Sequence, residues 1–152
     1  STMEKIHGQG GIAIVPHPIS WLTRSISERT LDRICERREE GVTFDAIELS
    51  NPSPAGRRTR ERALRLNVER WKLPWAGGSD AHHLPHIGTG WTEFAGASAA
   101  ELKAALEAGR VHGAMSRYPH AAEVGYGRIA LGLAWGYSAT PRKMLRGKWR
   151  SG

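Results

Sequence analysis

Apolar positions along the chain change period several times, and each change marks an element. Gly10-Gly11-Ile12-Ala13-Ile14-Val15-Pro16-His17-Pro18 is a continuous, β-branched run closed by proline, which predicts a buried strand ending at His17. Residues 26–40 place Leu31, Ile34 and Cys35 at helical spacing among charges, with Gly41 at the stop, and predict an amphipathic surface helix. Residues 44–50 predict a second strand, and the prolines and glycine of 51–56 predict a loop after it. From a cap at Thr59 a helix is expected to run to about Lys72, with Leu64, Val68 and Trp71 inward. Its arginines, Arg57, Arg58, Arg60, Arg62, Arg65 and Arg70, are expected on a solvated face.

Trp75 to Asp80 reads as a third strand weakened by Gly77 and Gly78, and 86–94 as a fourth. Ser98-Ala99-Ala100-Glu101 is a capping box that opens a helix with Leu102, Ala105 and Leu106 on its apolar side and Gly109 at its end. Beyond Arg110 the glycines at 113, 125, 127, 132 and 136 disrupt any period, and only 129–137 suggests a short apolar element. Strands separated by helices imply βαβ units, an α/β fold and a mostly parallel sheet. Ligands in such folds gather at the carboxyl ends of strands, which directs attention to His17, Ser50-Asn51 and residues 79–83.

Composition narrows the class. The 152 residues suit one domain, and 39% apolar content allows a packed core. One cysteine, Cys35, excludes an internal disulfide and points to a reducing, cytoplasmic setting. No apolar run approaches the roughly 20 residues of a membrane span. The net charge of +7 is unevenly spread: residues 124–152 hold six basic residues and no acid, which leaves 16 basic against 15 acidic residues in 1–123. The basic segment suits either a solvated terminus or contact with phosphate backbones.

The chemistry-bearing candidates lie at the strand ends. His17 closes the first strand, and Asp80 and His82 leave the third with one residue between them, so a carboxylate oxygen and an imidazole nitrogen can meet one ion. Zn²⁺, Mn²⁺ or Fe²⁺ suits such donors, although an aspartate also caps turns and a histidine also serves as a structural hydrogen-bonding residue. Glu48 is a second-rank base or ligand from the second strand. His83 and His86 have Pro85 between them and lack a zincin glutamate, which excludes that metalloprotease motif. There is neither a G-x-S-x-G elbow nor a P-loop, Cys35 is in a helix pattern, and Gly88-Thr89-Gly90 reads as a turn rather than a phosphate cradle.

The run 10–18, the segment Asp45-Ala46-Ile47-Glu48-Leu49-Ser50-Asn51, and Gly78-Ser79-Asp80-Ala81-His82 followed by Ile87-Gly88-Thr89-Gly90, Thr92 and Phe94 together resemble the PHP (polymerase and histidinol phosphatase) family of metal-dependent phosphoesterases. The resemblance implies a distorted (β/α)7 barrel of mostly parallel strands with flanking helices, whose strand ends hold a multinuclear metal site that hydrolyses phosphate esters. It puts the family's HP histidine on His17 and its D-x-H pair on Asp80 and His82. Glu48 and Asn51 match a recurrent family segment with no ligand role implied.

The family's opening His-x-His motif is absent. The chain therefore resembles the C-terminal half of a PHP protein, with residues 1–123 as that half and 124–152 as a Gly-containing basic segment. The resemblance implies an incomplete divalent metal site, a missing N-terminal half of the same polypeptide, and inactivity in isolation. Its substrates would be phosphorylated small molecules, nucleotides or oligonucleotides. The rival expectation is a non-catalytic PHP-like binding or scaffold domain that uses the basic segment for nucleic acid or a partner. A partial barrel also leaves strand edges to be covered, by self-association among other ways.

Overall fold

Three of the apolar runs become parallel strands. The computed structural model describes residues 2–135, which excludes most of the basic segment, including Arg142, Lys143, Arg146, Lys148 and Arg150, and the end of the expected 129–137 element. The described residues form two compact units, one of residues 2–80 and 87–118 and a smaller one of 81–86 and 119–135.

In the larger unit β1 (Ile14–Val15), β2 (Ala46–Ser50) and β3 (Trp75–Gly77) form a parallel sheet in the order β1-β2-β3. Helix α2 (Glu28–Glu36) joins the first pair, and α3 (Pro54–Arg57) and α4 (Arg60–Leu66) join the second. This is the alternation that the sequence predicts, and it gives a mixed α/β fold. Among the described residues the strands close no barrel.

The remaining strands, β4 (Gly90–Phe94) and β5 (Val111–Met115), pair antiparallel around α5 (Ala99–Glu107), whose capping box forms as expected between Ser98 and Glu101. β5 is absent from the sequence reading because Gly113 interrupts its alternation. The glycine is required by packing: a Cβ there would collide with the Ala76 carbonyl oxygen of β3. The Thr92 hydroxyl then reaches the edge of β3, donating to the Gly77 carbonyl and accepting the Gly77 amide, both at 3.0 Å.

The main core lies between the sheet and the helices, with Trp71, Leu31, Ile47 and Val15 at its centre. Trp71 is fully buried and donates its indole N–H to Asp32 at 2.7 Å. The expected stripe through Val68 is corrected here, since Val68 is 76% exposed. After Leu66 the helix widens to a π-type turn, Asn67–Trp71, and a wider turn shifts the buried face onto Asn67 and Trp71. Asn67 clasps the next segment, donating to the Leu73 carbonyl at 2.9 Å and accepting its amide at 3.0 Å.

Two local expectations change. The 51–56 loop contains helix α3, because Ser53 caps it and Pro54 occupies a first-turn position where its missing N–H costs nothing. Thr59 makes no side-chain cap; its hydroxyl donates to the Pro18 carbonyl at 3.1 Å. A short helix, α1 (Thr2–Gly8), precedes the sheet and is fixed by a hydrogen bond between His7 Nε2 and Asp45 Oδ2 at 3.0 Å. Burial pushes the half-buried Cys35 thiol up, away from reactivity.

In the smaller unit, residues 84–86 form a 3₁₀ turn, α6 spans Ala121–Val124, and residues 126–135 are helical. The rings of His83 and His86 meet edge-on at 5.7 Å.

Candidate functional site

The carboxyl ends of β1, β2 and β3 lie side by side because the strands are parallel and in register. The end of β2 is irregular: Glu48 pairs with Ala76 and Ser50 with Gly77, so one extra residue, Leu49, is absorbed between them. Such bulges re-aim the side chains that follow. Asn51 and Ser53, just beyond, are almost fully buried polar residues.

One hydrogen-bonded chain crosses these strand ends. The His17 backbone N–H donates to Glu48 Oε2 at 2.8 Å, and Asn51 Nδ2 donates to the same oxygen at 2.9 Å. Asn51 Oδ1 accepts the Ser53 amide at 2.9 Å, and the Ser53 hydroxyl donates to Asp80 Oδ2 at 2.8 Å. His17 and Asp80, thirty or so residues from β2 on either side, are thereby tied to it through a single polar thread that is buried at Asn51 and Ser53 and half-buried at its ends. Glu48 has space for this only because residue 78 is glycine; a Cβ there would overlap its other carboxylate oxygen.

Both His17 and Asp80 have positive φ, 25° and 49°. Non-glycine residues in that region cost energy and persist where the surroundings over-determine them, most often at functional sites. The surroundings here are visible. Ser25 donates its hydroxyl to the His17 carbonyl at 2.7 Å, and Thr23 Oγ1 lies 3.4 Å from His17 Nδ1, which leaves Nε2 as the ring nitrogen directed elsewhere.

Tyr118, which follows β5, is a member of this neighbourhood that sequence reasoning misses. Burial, and secondarily the Asp80 carboxylate, push its phenol above the ordinary tyrosine range. Nothing local in Arg117-Tyr118-Pro119 signals this, because only the folding of β5 brings the residue there.

His82 is exposed and belongs to the smaller unit, whereas His17, Glu48 and Asp80 belong to the larger. Among the described residues no three His, Cys, Asp or Glu side chains form a group able to hold a metal ion. As donors, His17 and Asp80 fit a divalent ion in part: one imidazole, with the Thr23 hydroxyl 3.4 Å from its Nδ1, and one carboxylate held by the Ser53 hydroxyl behind it, as metal ligands are. They fall short of a complete coordination shell.

The arginines of the α3–α4 segment divide by partner. Arg62 reaches Glu28 at 2.7 Å, and Arg70 reaches Glu28 and Asp32 at 3.2 and 3.0 Å. Arg60 donates to the Leu49 carbonyl at 3.1 Å and lies over the Trp75 ring. Arg58 lies over Trp21. The expected solvated face is thus partly spent on structure.

No helix among the described residues is long and apolar enough to cross a membrane. Neither a curated protein nor a solved structure matches the chain significantly. Residues 58–111, from the end of α3 through the first residue of β5, match the model of a family described as PHP-associated. That span contains Asp80 and His82 but stops short of His17. Over residues 58–111 the chain is accordingly similar to a PHP-associated C-terminal region.

Proposed function

We propose that this chain is the C-terminal part of a cytoplasmic metal-dependent phosphoesterase, with His17, Asp80 and His82 as its contribution to a divalent metal site of Zn, Mn or Fe and with an N-terminal half supplying the rest. The observation that carries this reading is the thread from the His17 backbone through Glu48, Asn51 and Ser53 to Asp80, which fixes the backbone of one candidate donor and a carboxylate oxygen of the other at adjoining strand ends. A connected polar network with a buried centre is a costly way to fill space and an effective way to fix geometry.

When bound, divalent ions polarise phosphate oxygens and lower the pKa of water to the neutral range. The chain's own residues do the positioning. Glu48 holds the His17 backbone in its strained conformation, with Thr23 against Nδ1, so that Nε2 is presented as the ligand nitrogen. Ser53 fixes one Asp80 oxygen and so sets the plane of the carboxylate. Glu48, whose Oε2 already accepts two hydrogen bonds, acts as a positioning residue rather than as a base.

The test is metal content and phosphatase activity after dialysis against Zn²⁺ or Mn²⁺, on this chain and on a polypeptide extended upstream. The extended protein is expected to bind metal and hydrolyse a phosphomonoester, and Asp80→Asn to remove both. An extended protein that holds no divalent metal would sink this reading and leave the non-catalytic binding domain.

A further inference from the structure

Four large apolar side chains stand in solvent on one short helix of the smaller unit: Tyr126 is 71% exposed, Leu131 74%, Leu133 58% and Trp135 73%. Of the residues 126–135 only Ile129 is even half-buried, and Arg128 is the one charge. The helix is anchored at its beginning. Val124 just before it is buried, and the Gly125 carbonyl accepts the Arg128 and Ile129 amides at 3.0 and 3.2 Å. Gly132 faces His83, where an added Cβ would lie 3.2 Å from the imidazole Cε1. Ile129 and Gly132, one turn apart, thus form the inward line, and the large side chains flank it on both sides. Folding leaves this surface uncovered, and an apolar helix face of this kind marks a docking site for a protein or a membrane.

The charge that accompanies the helix has one sign. From Val124 to Gly152 there are six basic residues and no acid; five of them, between 142 and 150, lie outside the described residues and count here as sequence charge alone. A second copy would bring two such segments together against their repulsion. A nucleic acid would meet the charge and gain little from Leu131 and Leu133. A protein groove takes one apolar stripe at i, i+3 or i+4 and i+7, whereas Leu131 and Leu133, two residues apart, point about 200° from each other. A fluid interface surrounds both flanks. Tyr126 and Trp135, at the two ends of the helix, carry the amphipathic rings that settle at headgroup level. The helix is too short to span a bilayer and has the length of an interfacial segment.

We infer that the helix of residues 126–135 docks on an anionic phospholipid surface, its apolar side chains entering the headgroup boundary while the basic residues that follow it pair with the lipid headgroups. Apolar burial and electrostatic attraction add in such binding, and stable anchoring takes both. The inference concerns the smaller unit and is independent of the phosphoesterase reading.

Co-sedimentation tests it, using vesicles of phosphatidylcholine alone and of phosphatidylcholine mixed with phosphatidylserine at about 3:1. The mixed vesicles are expected to retain the chain and the neutral ones far less, with binding falling as salt is raised. Lys143→Ala should lower partition about 5-fold, the worth of one basic residue near such a surface. Leu131→Ser together with Leu133→Ser should lower it roughly 10-fold or more, and, both positions being exposed, should leave the circular dichroism of the chain unchanged. Failure to sediment with the mixed vesicles, equal partition into both kinds, or full retention of the double leucine variant overturns the inference. So does a lipid-free dimer in sedimentation equilibrium that the same variant dissolves, which gives the helix to a second copy.

Discussion

The parallel sheet borders two buried regions of opposite character. Against its helices lies the apolar core around Trp71, Leu31, Ile47 and Val15; at its carboxyl end lie Ser50, Asn51 and Ser53, buried to a similar degree. Apolar packing is non-directional and tolerates many arrangements of similar volume, whereas a buried polar thread is satisfied in few geometries. The contrast teaches that one region supplies stability and the other supplies placement, within a few residues of each other along β2.

The comparison can be broken most forcefully at Trp71. Trp71→Ala is expected to cost about 3–5 kcal/mol in urea denaturation, while the remaining folded protein keeps its ligand affinities. A large loss of affinity at full folding would show that the core also sets the site. Asn51→Ala probes the other region: it strands the Ser53 amide and one Glu48 hydrogen bond, with an expected cost of about 1–3 kcal/mol. Its larger signature is a fall of about 10- to 100-fold in divalent metal affinity of the upstream-extended protein, the usual cost of losing support behind a ligand.

Ser53→Ala sharpens the same point on a smaller scale. Loss of the α3 cap should cost about 1 kcal/mol, and loss of the hydroxyl on Asp80 should weaken metal binding while Ser53→Thr restores it. The smallest effect is a pH slope. Because the Tyr118 phenol is held above its ordinary range, the unfolded chain ionises first as pH rises past about 10. Stability should then decline with rising pH in that window, and Tyr118→Phe should flatten the decline measured by chemical denaturation.

The apolar half of this picture was the legible one. β1, β2, β3, α2 and α5 follow from periodicity, proline and capping signals that act over a few residues. Val68 misled because a helical stripe presumes 3.6 residues per turn, and the π-type turn changes that count. β5 was hidden because Gly113 satisfies a backbone contact with Ala76, a distant demand that deletes the local side-chain pattern. Asn51 drew attention by lying at a strand end, yet its partnership with Ser53 and, through it, Asp80 spans 27 residues from Ser53 onward and leaves no periodic trace. Helix α3 escaped because the same prolines that forbid a helix interior favour its first turn.

The Thr92 hydroxyl on the rim of β3 has an implication for assembly. A strand edge with bare amides and carbonyls invites pairing by any extended chain, and proteins usually block it with charge, proline or another strand. Here a single side-chain oxygen occupies both the donor and the acceptor of Gly77, so the sheet is terminated chemically at that residue. An added strand would have to displace the hydroxyl and leave it without those partners.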